Sequence, residues 1–123
     1  MGSFGKSIVA VDDSVLILKM LDKVLGTRHE LHSFVDGNRA LELLRKKAPD
    51  LIILDIDMPG MSGFDMLKLI RALDHLKRVP VIFLTSNSDK DYVVKAMAGG
   101  ADDYVIKPID ENILLKKIDG LLR

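Results

Sequence analysis

The chain has 123 residues, no cysteine, and 18 basic against 18 acidic side chains, so its formal net charge is zero. That length predicts one domain, and 48% hydrophobic with 29% charged residues excludes a disordered chain. The missing cysteines exclude a disulfide scaffold, a thiolate zinc site and a thiol nucleophile, while the charge balance gives no electrostatic footprint for nucleic acid.

Residues 1–6 lack a basic segment followed by a long apolar stretch, so they are expected to be an N-terminal extension or a cloning remnant. The longest apolar runs, such as Leu51 to Leu54, fall far short of the roughly 20 residues that span a bilayer. A cytoplasmic protein with no membrane partner is the expectation.

From position 7 onward, short apolar runs alternate with segments of helical period. Ser7 to Val11 is β-rich and ends abruptly in Asp12-Asp13. Ile17, Met20, Leu21 and Val24 form a helical stripe over Val15 to Leu25, with Gly26 as its stop. Leu31 to Val35 reads as a weak edge strand, and Asp36 as the N-cap of a helix through Lys47 with Ala40, Leu41 and Leu44 inward. Pro49 breaks the chain before Leu51-Ile52-Ile53-Leu54, a strand apolar on both faces that ends at Asp55.

The second half repeats the pattern. Asp57-Met58-Pro59-Gly60 is turn chemistry, and Ser62 with Asp65 predicts a capping box for a helix carrying Leu67, Ile70 and Leu73. Val81 to Leu84 is a second fully apolar strand, ending at Thr85. Ser88 with Asp91 predicts another cap, for a helix that stops near Gly99-Gly100. Tyr104-Val105-Ile106 is the last strand, ending at Lys107-Pro108, and Asp110 opens the final helix. Five strands alternating with five helices predict an α/β fold with a parallel sheet and right-handed crossovers.

The polar residues at the strand ends carry the chemistry. Asp12 and Asp13, Asp55, Thr85 and Lys107 each follow a strand, and ligands of open parallel sheets bind beyond the carboxyl ends of the strands. Three carboxylates gathered there repel one another, by roughly 3 kcal/mol per pair at about 5 Å. The cluster should therefore recruit a cation or keep a proton. Hard oxygen ligands without histidine or cysteine favour magnesium or manganese over zinc. With the Lys107 ammonium and the Thr85 hydroxyl, such a site suits phosphoryl transfer, with Asp55 placed as the nucleophile.

The motifs VDDS at 11–14, LIILDIDMPGMSG at 51–63, VIFLTS at 81–86 and GADDYVIKP at 100–108 resemble the receiver domain of two-component response regulators. The resemblance extends from Ile8 to Leu122 and includes the separations of 42, 30 and 22 residues between Asp13, Asp55, Thr85 and Lys107. It implies a flavodoxin-like (βα)5 three-layer sandwich of strand order 2-1-3-4-5 over 7–123. It also implies that Asp55 accepts phosphoryl from a histidine kinase or histidine phosphotransfer protein. Asp13, Asp55 and the backbone carbonyl of Asp57 would bind Mg2+ directly, with Mn2+ as the alternative, and Asp12 through water. Thr85 would hydrogen-bond the phosphoryl group, Lys107 would pair with it, and Tyr104 would be the switch aromatic. The Lys107-Pro108 bond is often cis in the family. A surface from Ser88 to Arg123 would carry the signal, with Lys90, Lys95 and Lys116 as exposed candidates, to a downstream protein or a covalently linked effector. Such a domain is a signalling switch rather than an enzyme. It would have no direct nucleic-acid contact of its own.

Asp57 stands two residues after the acceptor, where the family varies and phosphoryl lifetime is tuned, and its charge is expected to strengthen cation binding or order a water. Ser86 replaces a frequent Ala after Thr85, and Asn87 is the other lifetime-tuning position. Asp102-Asp103 reads as a solvated turn, His29, His32 and His75 as surface or edge residues, and the methionines as core filler. Asp55-Ile56-Asp57 also resembles the nucleophile motif of haloacid-dehalogenase phosphatases, but here 54 residues precede it. A flavin carrier of the same fold needs hydroxyl and glycine donors where Asp12-Asp13 would repel a phosphate.

Overall fold

The computed structural model describes Gly2 and residues 4–123. Positions 1 and 3 of the expected N-terminal extension lie outside the described residues. Within that segment, Gly5 N–H donates to the Arg28 carbonyl (2.7 Å) and Lys6 N–H to His29 Nδ1 (3.1 Å).

The elements run β1 (Ser7–Val11), α1 (Val15–Leu25), β2 (Glu30–Phe34), α2 (Gly37–Leu44), β3 (Leu51–Asp55), α3 (Gly63–Ala72), β4 (Val81–Thr85), α4 (Lys90–Ala98), β5 (Asp103–Ile106) and α5 (Glu111–Leu121). All strand pairs are parallel and the order is β2-β1-β3-β4-β5. This is the expected flavodoxin-like α/β sandwich. Successive strand side chains point to opposite faces. Val9, Val11, Ile52, Leu54, Val81 and Phe83 pack with α2, α3 and α4, whereas Ile8, Ala10, Leu51, Ile53, Ile82 and Leu84 pack with α1 and α5. Every residue of β3 and β4 is buried, which explains why both read as unbroken apolar runs.

Three helix starts follow from local chemistry. Asp36 accepts from Arg39 N–H, Ser62 and Asp65 form both halves of the capping box, and Asp110 accepts from Asn112 and Ile113 N–H. The fourth differs from the expectation at Ser88. Asp89 is the cap of α4, its carboxylate accepting from Asp91 (2.9 Å) and Tyr92 (3.4 Å) N–H. An ionised carboxylate is the stronger acceptor for these two donors.

Other boundaries also move. The face that α1 buries most deeply is Leu18, Leu21 and Leu25, flanked by half-buried Ile17, Met20 and Val24. Gly26 ends α1 as expected, but in right-handed conformation (φ −65°). Strand β2 sits one residue earlier than expected and leaves Val35 exposed. Helix α2 stops at Leu44, where the Lys46 and Lys47 amides both turn back to the Leu43 carbonyl. Pro49 drives Ala48 away from helical backbone, so the helix has no continuation past that turn. Helix α3 ends at Ala72, Leu73 is extended, and a single 3-10 turn (Asp74–Leu76) follows that no local pattern announced.

Asp102 and Asp103 are not a merely solvated turn. Asp102 Oδ2 accepts from Val81 N–H (2.8 Å) and from Arg71 (3.2 Å), and Asp103 Oδ1 accepts from Lys117 Nζ (2.9 Å). His29 is likewise interior, 6% exposed, where burial lowers its pKa. Among the described residues, no helix is long and apolar enough to cross a membrane.

Candidate functional site

Parallel register brings the strand ends together. Val11 pairs with Leu54, Asp55 with Leu84, and Thr85 with Ile106. The ladder continues one step beyond the strands: Asp12 N–H donates to the Phe34 carbonyl (3.1 Å), Ile56 N–H to Leu84 (3.1 Å) and Lys107 N–H to Thr85 (2.7 Å). Asp12, Asp55, Thr85 and Lys107 thereby meet at one sheet edge, although 95 positions separate the first from the last. The Lys107-Pro108 peptide is cis.

At the centre, Lys107 Nζ lies 3.0 Å from Asp12 Oδ2 and 3.2 Å from Asp55 Oδ1. Asp12 is completely buried and Asp55 is 2% exposed. Asp12 Oδ1 accepts from Ser14 N–H (2.8 Å), and Asp55 Oδ1 accepts from Asp57 N–H (3.3 Å). Burial first, and then the Asp12 charge, push the Asp55 carboxyl up to about 6, against the pull of Lys107. Burial alone would lower the Lys107 pKa, but its bonds and charge contacts with Asp12 and Asp55 outweigh it and hold the pKa above its ordinary value.

One ammonium does not neutralise this cluster. Asp13, exposed at the rim, contributes a third carboxylate, and oxygen atoms of Asp12, Asp13 and Asp55 all lie within 4.8 Å of one another. Asp12 Oδ2 is shut off from solvent without a well-aligned hydrogen bond, despite its short ion contact with Lys107. Surplus negative charge, an under-satisfied buried oxygen and an all-oxygen donor set fit a hard divalent cation.

Two further features shape the rim. Thr85 is buried and its Oγ1 accepts from Asn87 N–H (3.0 Å), leaving the hydroxyl proton free of that bond. Gly63, the first residue of α3, packs so tightly on β3 that a Cβ there would lie 2.5 Å from the Asp55 carbonyl oxygen and 2.7 Å from Ile56 Cα. Only glycine lets the helix approach this closely.

Tyr104 is half-buried on β5. Lys117 on α5 reaches over its ring, with Nζ 4.7 Å from the centroid, and donates to its carbonyl (2.7 Å). A residue that sequence reasoning passed over is Tyr92 on α4, whose hydroxyl donates to Asp57 Oδ1 (3.1 Å). Burial, that bond, and the charges of Asp57 and Asp55 push the Tyr92 phenol up to about 12. The two partners are 35 residues apart, and no local signal links them.

The family model for the response regulator receiver domain matches residues 8–119. The transcriptional regulatory protein AfsQ1 of Streptomyces coelicolor is 37% identical over 118 residues, which is 95% of this chain and 51% of that protein. The DNA-binding response regulator MtrA of Mycobacterium tuberculosis is 36% identical over 124 residues, 100% of this chain and 53% of that protein. The chain spans about half the length of the curated relatives it matches. Among solved structures, the chemotaxis response regulator CheY4 of Vibrio cholerae is similar with a TM-score of 0.89 at 32% identity, over 98% of this chain and 100% of that one. A BeF3-activated DrrB receiver domain is similar with a TM-score of 0.88, also at 32% identity, over 97% and 98% of the two chains.

Proposed function

Because the chain belongs to the response regulator receiver domains of two-component systems, we propose that residues 7–123 act as a phosphorylation switch with Asp55 as the acceptor. The observation that carries this reading is the buried Asp55 carboxylate held 3.2 Å from Lys107 in a three-carboxylate cluster that this one ammonium does not neutralise. A carboxylate oxygen of Asp55 attacks the phosphorus of a phosphohistidine on a kinase or phosphotransfer protein. The O–P bond forms as the P–N bond breaks, and the electron pair returns to the imidazole nitrogen.

Lys107 already bridges Asp12 and Asp55, so it needs little rearrangement to hold charge on the arriving phosphoryl oxygens. The Thr85 hydroxyl donates to one of those oxygens. Asp13, Asp55 and the Asp57 carbonyl, with Asp12 through water, would hold Mg2+ or Mn2+, which supplies the remaining positive charge. Phosphorylation adds about −1.5 to −2 charge, and Thr85 and Tyr104 relay it to the surface of α4, β5 and α5, where Lys90, Lys95 and Lys116 are exposed. The partner there is a downstream protein or a linked effector, reached in the cytoplasm. The product is a signal rather than a released chemical.

The direct test is intact-mass analysis after incubation with acetyl phosphate. A phosphate adduct that requires Mg2+ and disappears in Asp55→Asn is the expected result, and no adduct under any condition would remove the switch mechanism. Asp13 is exposed, so Asp13→Asn should leave the fold intact while lowering Mg2+ affinity at least about tenfold. Calorimetric titration with MgCl2 reads this out, and an unchanged affinity would exclude Asp13 as a ligand.

A further inference from the structure

Helix α4 buries fewer side chains than any other α-helix of the fold. Ala96 is its only fully buried side chain, and Tyr92, Val93 and Met97 are half-buried. Tyr92 carries much of the remaining attachment. Its ring packs edge-on against Phe64 (centroids 5.6 Å apart), which packs edge-on against Phe83 (5.6 Å) on β4. Lys95 of the same helix lies 4.9 Å from the Phe64 centroid. Beyond this ladder, the Tyr92 hydroxyl donates to Asp57 Oδ1.

Asp57 is held in two directions. Its amide donates inward to Asp55 Oδ1, and its carboxylate turns outward to Tyr92. The loop backbone does not depend on that outward bond, because Met58 N–H donates to the Ile56 carbonyl (3.2 Å) and Gly63 N–H to the same oxygen (2.8 Å). What Tyr92 governs is therefore the side chain of Asp57, an exposed carboxylate two residues from the acceptor. A cation among Asp12, Asp13 and Asp55 would attract that carboxylate, and an oxygen that turns toward the cation leaves the phenol.

We propose that the Tyr92–Asp57 hydrogen bond is a latch that cation binding at the acidic cluster opens, so that occupancy of the site loosens the first turn of α4. Tyr92 is a positioning residue in this scheme, acting through Asp57. The inference rests on the receiver reading above and adds a connection from site to helix that bypasses Thr85 and Tyr104. Linkage makes the connection reciprocal: if the cation opens the latch, removing the latch tightens cation binding.

The probe is MgCl2, followed by calorimetry and by hydrogen exchange of the peptide covering 87–95. Tyr92→Phe keeps the ring against Phe64 and removes only the hydroxyl. It should bind Mg2+ about three- to tenfold more tightly, the worth of one modest hydrogen bond. In the wild type, Mg2+ should speed exchange at the start of α4. In Tyr92→Phe, exchange should be fast from the outset and indifferent to Mg2+. In an Asp57→Asn background, Tyr92→Phe should change Mg2+ affinity less than about twofold, an outcome that a purely packing role of Tyr92 would not give. Equal or weaker Mg2+ binding by Tyr92→Phe, or wild-type exchange that ignores Mg2+, overturns the latch alone. Wild-type protein that takes up no Mg2+ overturns both the latch and the reading beneath it.

Discussion

Asp55→Asn should abolish phosphoryl uptake and at the same time make the metal-free domain more stable at neutral pH. The two effects share a cause. Asp55 is buried beside Asp12, and its folded-state pKa of about 6 lies above the ordinary carboxylate value of 3.8. A group raised in this way contributes stability that is complete below its unfolded pKa and lost as pH rises through its folded one. In chelator, the wild type should therefore lose about 2 to 3 kcal/mol through this group between about pH 4 and pH 7, at 1.36 kcal/mol per pKa unit. Asn carries no charge into the pocket and escapes that loss. Urea unfolding followed by far-UV circular dichroism, in EDTA at pH 5 and pH 7.5, reads the difference directly. The advantage of Asp55→Asn should grow with pH and shrink when Mg2+ is restored to the wild type. An advantage that falls with rising pH would contradict the electrostatic account of the pocket.

The second large effect lies at the opposite end of the sheet. Arg71, on the last turn of α3, donates to the carbonyls of Leu76 (3.0 Å), Val79 (2.7 Å) and Gly100 (3.0 Å) and to Asp102 Oδ2 (3.2 Å). One guanidinium thus ties the 3-10 turn, the entry to β4 and the turn before β5, where Gly100 takes a positive φ of 107°. Asp102 extends the tie by accepting from the first amide of β4. Arg71→Ala leaves two half-buried carbonyls, an exposed carbonyl and a carboxylate without this donor and should cost about 3 kcal/mol. Arg71→Lys should recover less than half, because a single ammonium cannot span the fork. The urea midpoint measures both. A loss below about 1 kcal/mol for Arg71→Ala would show that water replaces the guanidinium readily.

The contrast between these two sites explains what the sequence made legible. Asp12, Asp55, Thr85 and Lys107 stand out because each ends an apolar run, and a parallel sheet aligns such ends by construction. The capping residues Asp36, Ser62 and Asp110 are equally local signals, read from spacing of two or three positions. Arg71, Asp102 and Tyr92 are invisible to that kind of reading. Their partners lie 5 to 35 residues away, and nothing about a lone arginine in a helix or a tyrosine near a cap announces which carbonyl or carboxylate it will meet. Asp102 was misread for the same reason, since an acidic pair after two glycines looks like a hydrated turn until β4 and α3 are folded against it. The shift from Ser88 to Asp89 was settled by competition between neighbours, carboxylate against hydroxyl.

Helix α4 meets the core through one fully buried alanine and the half-buried Tyr92 and Met97, and this sets how its movement can be observed. The heat-capacity change of an unfolding step scales with the apolar surface it exposes. Displacing α4 uncovers little, so the step should leave almost no calorimetric trace and little denaturant dependence. Amide exchange along 90–98 would register it, because backbone protection is lost even where apolar burial is scarcely changed. A scanning calorimeter would report a rigid two-state domain while this one helix opened and closed unseen.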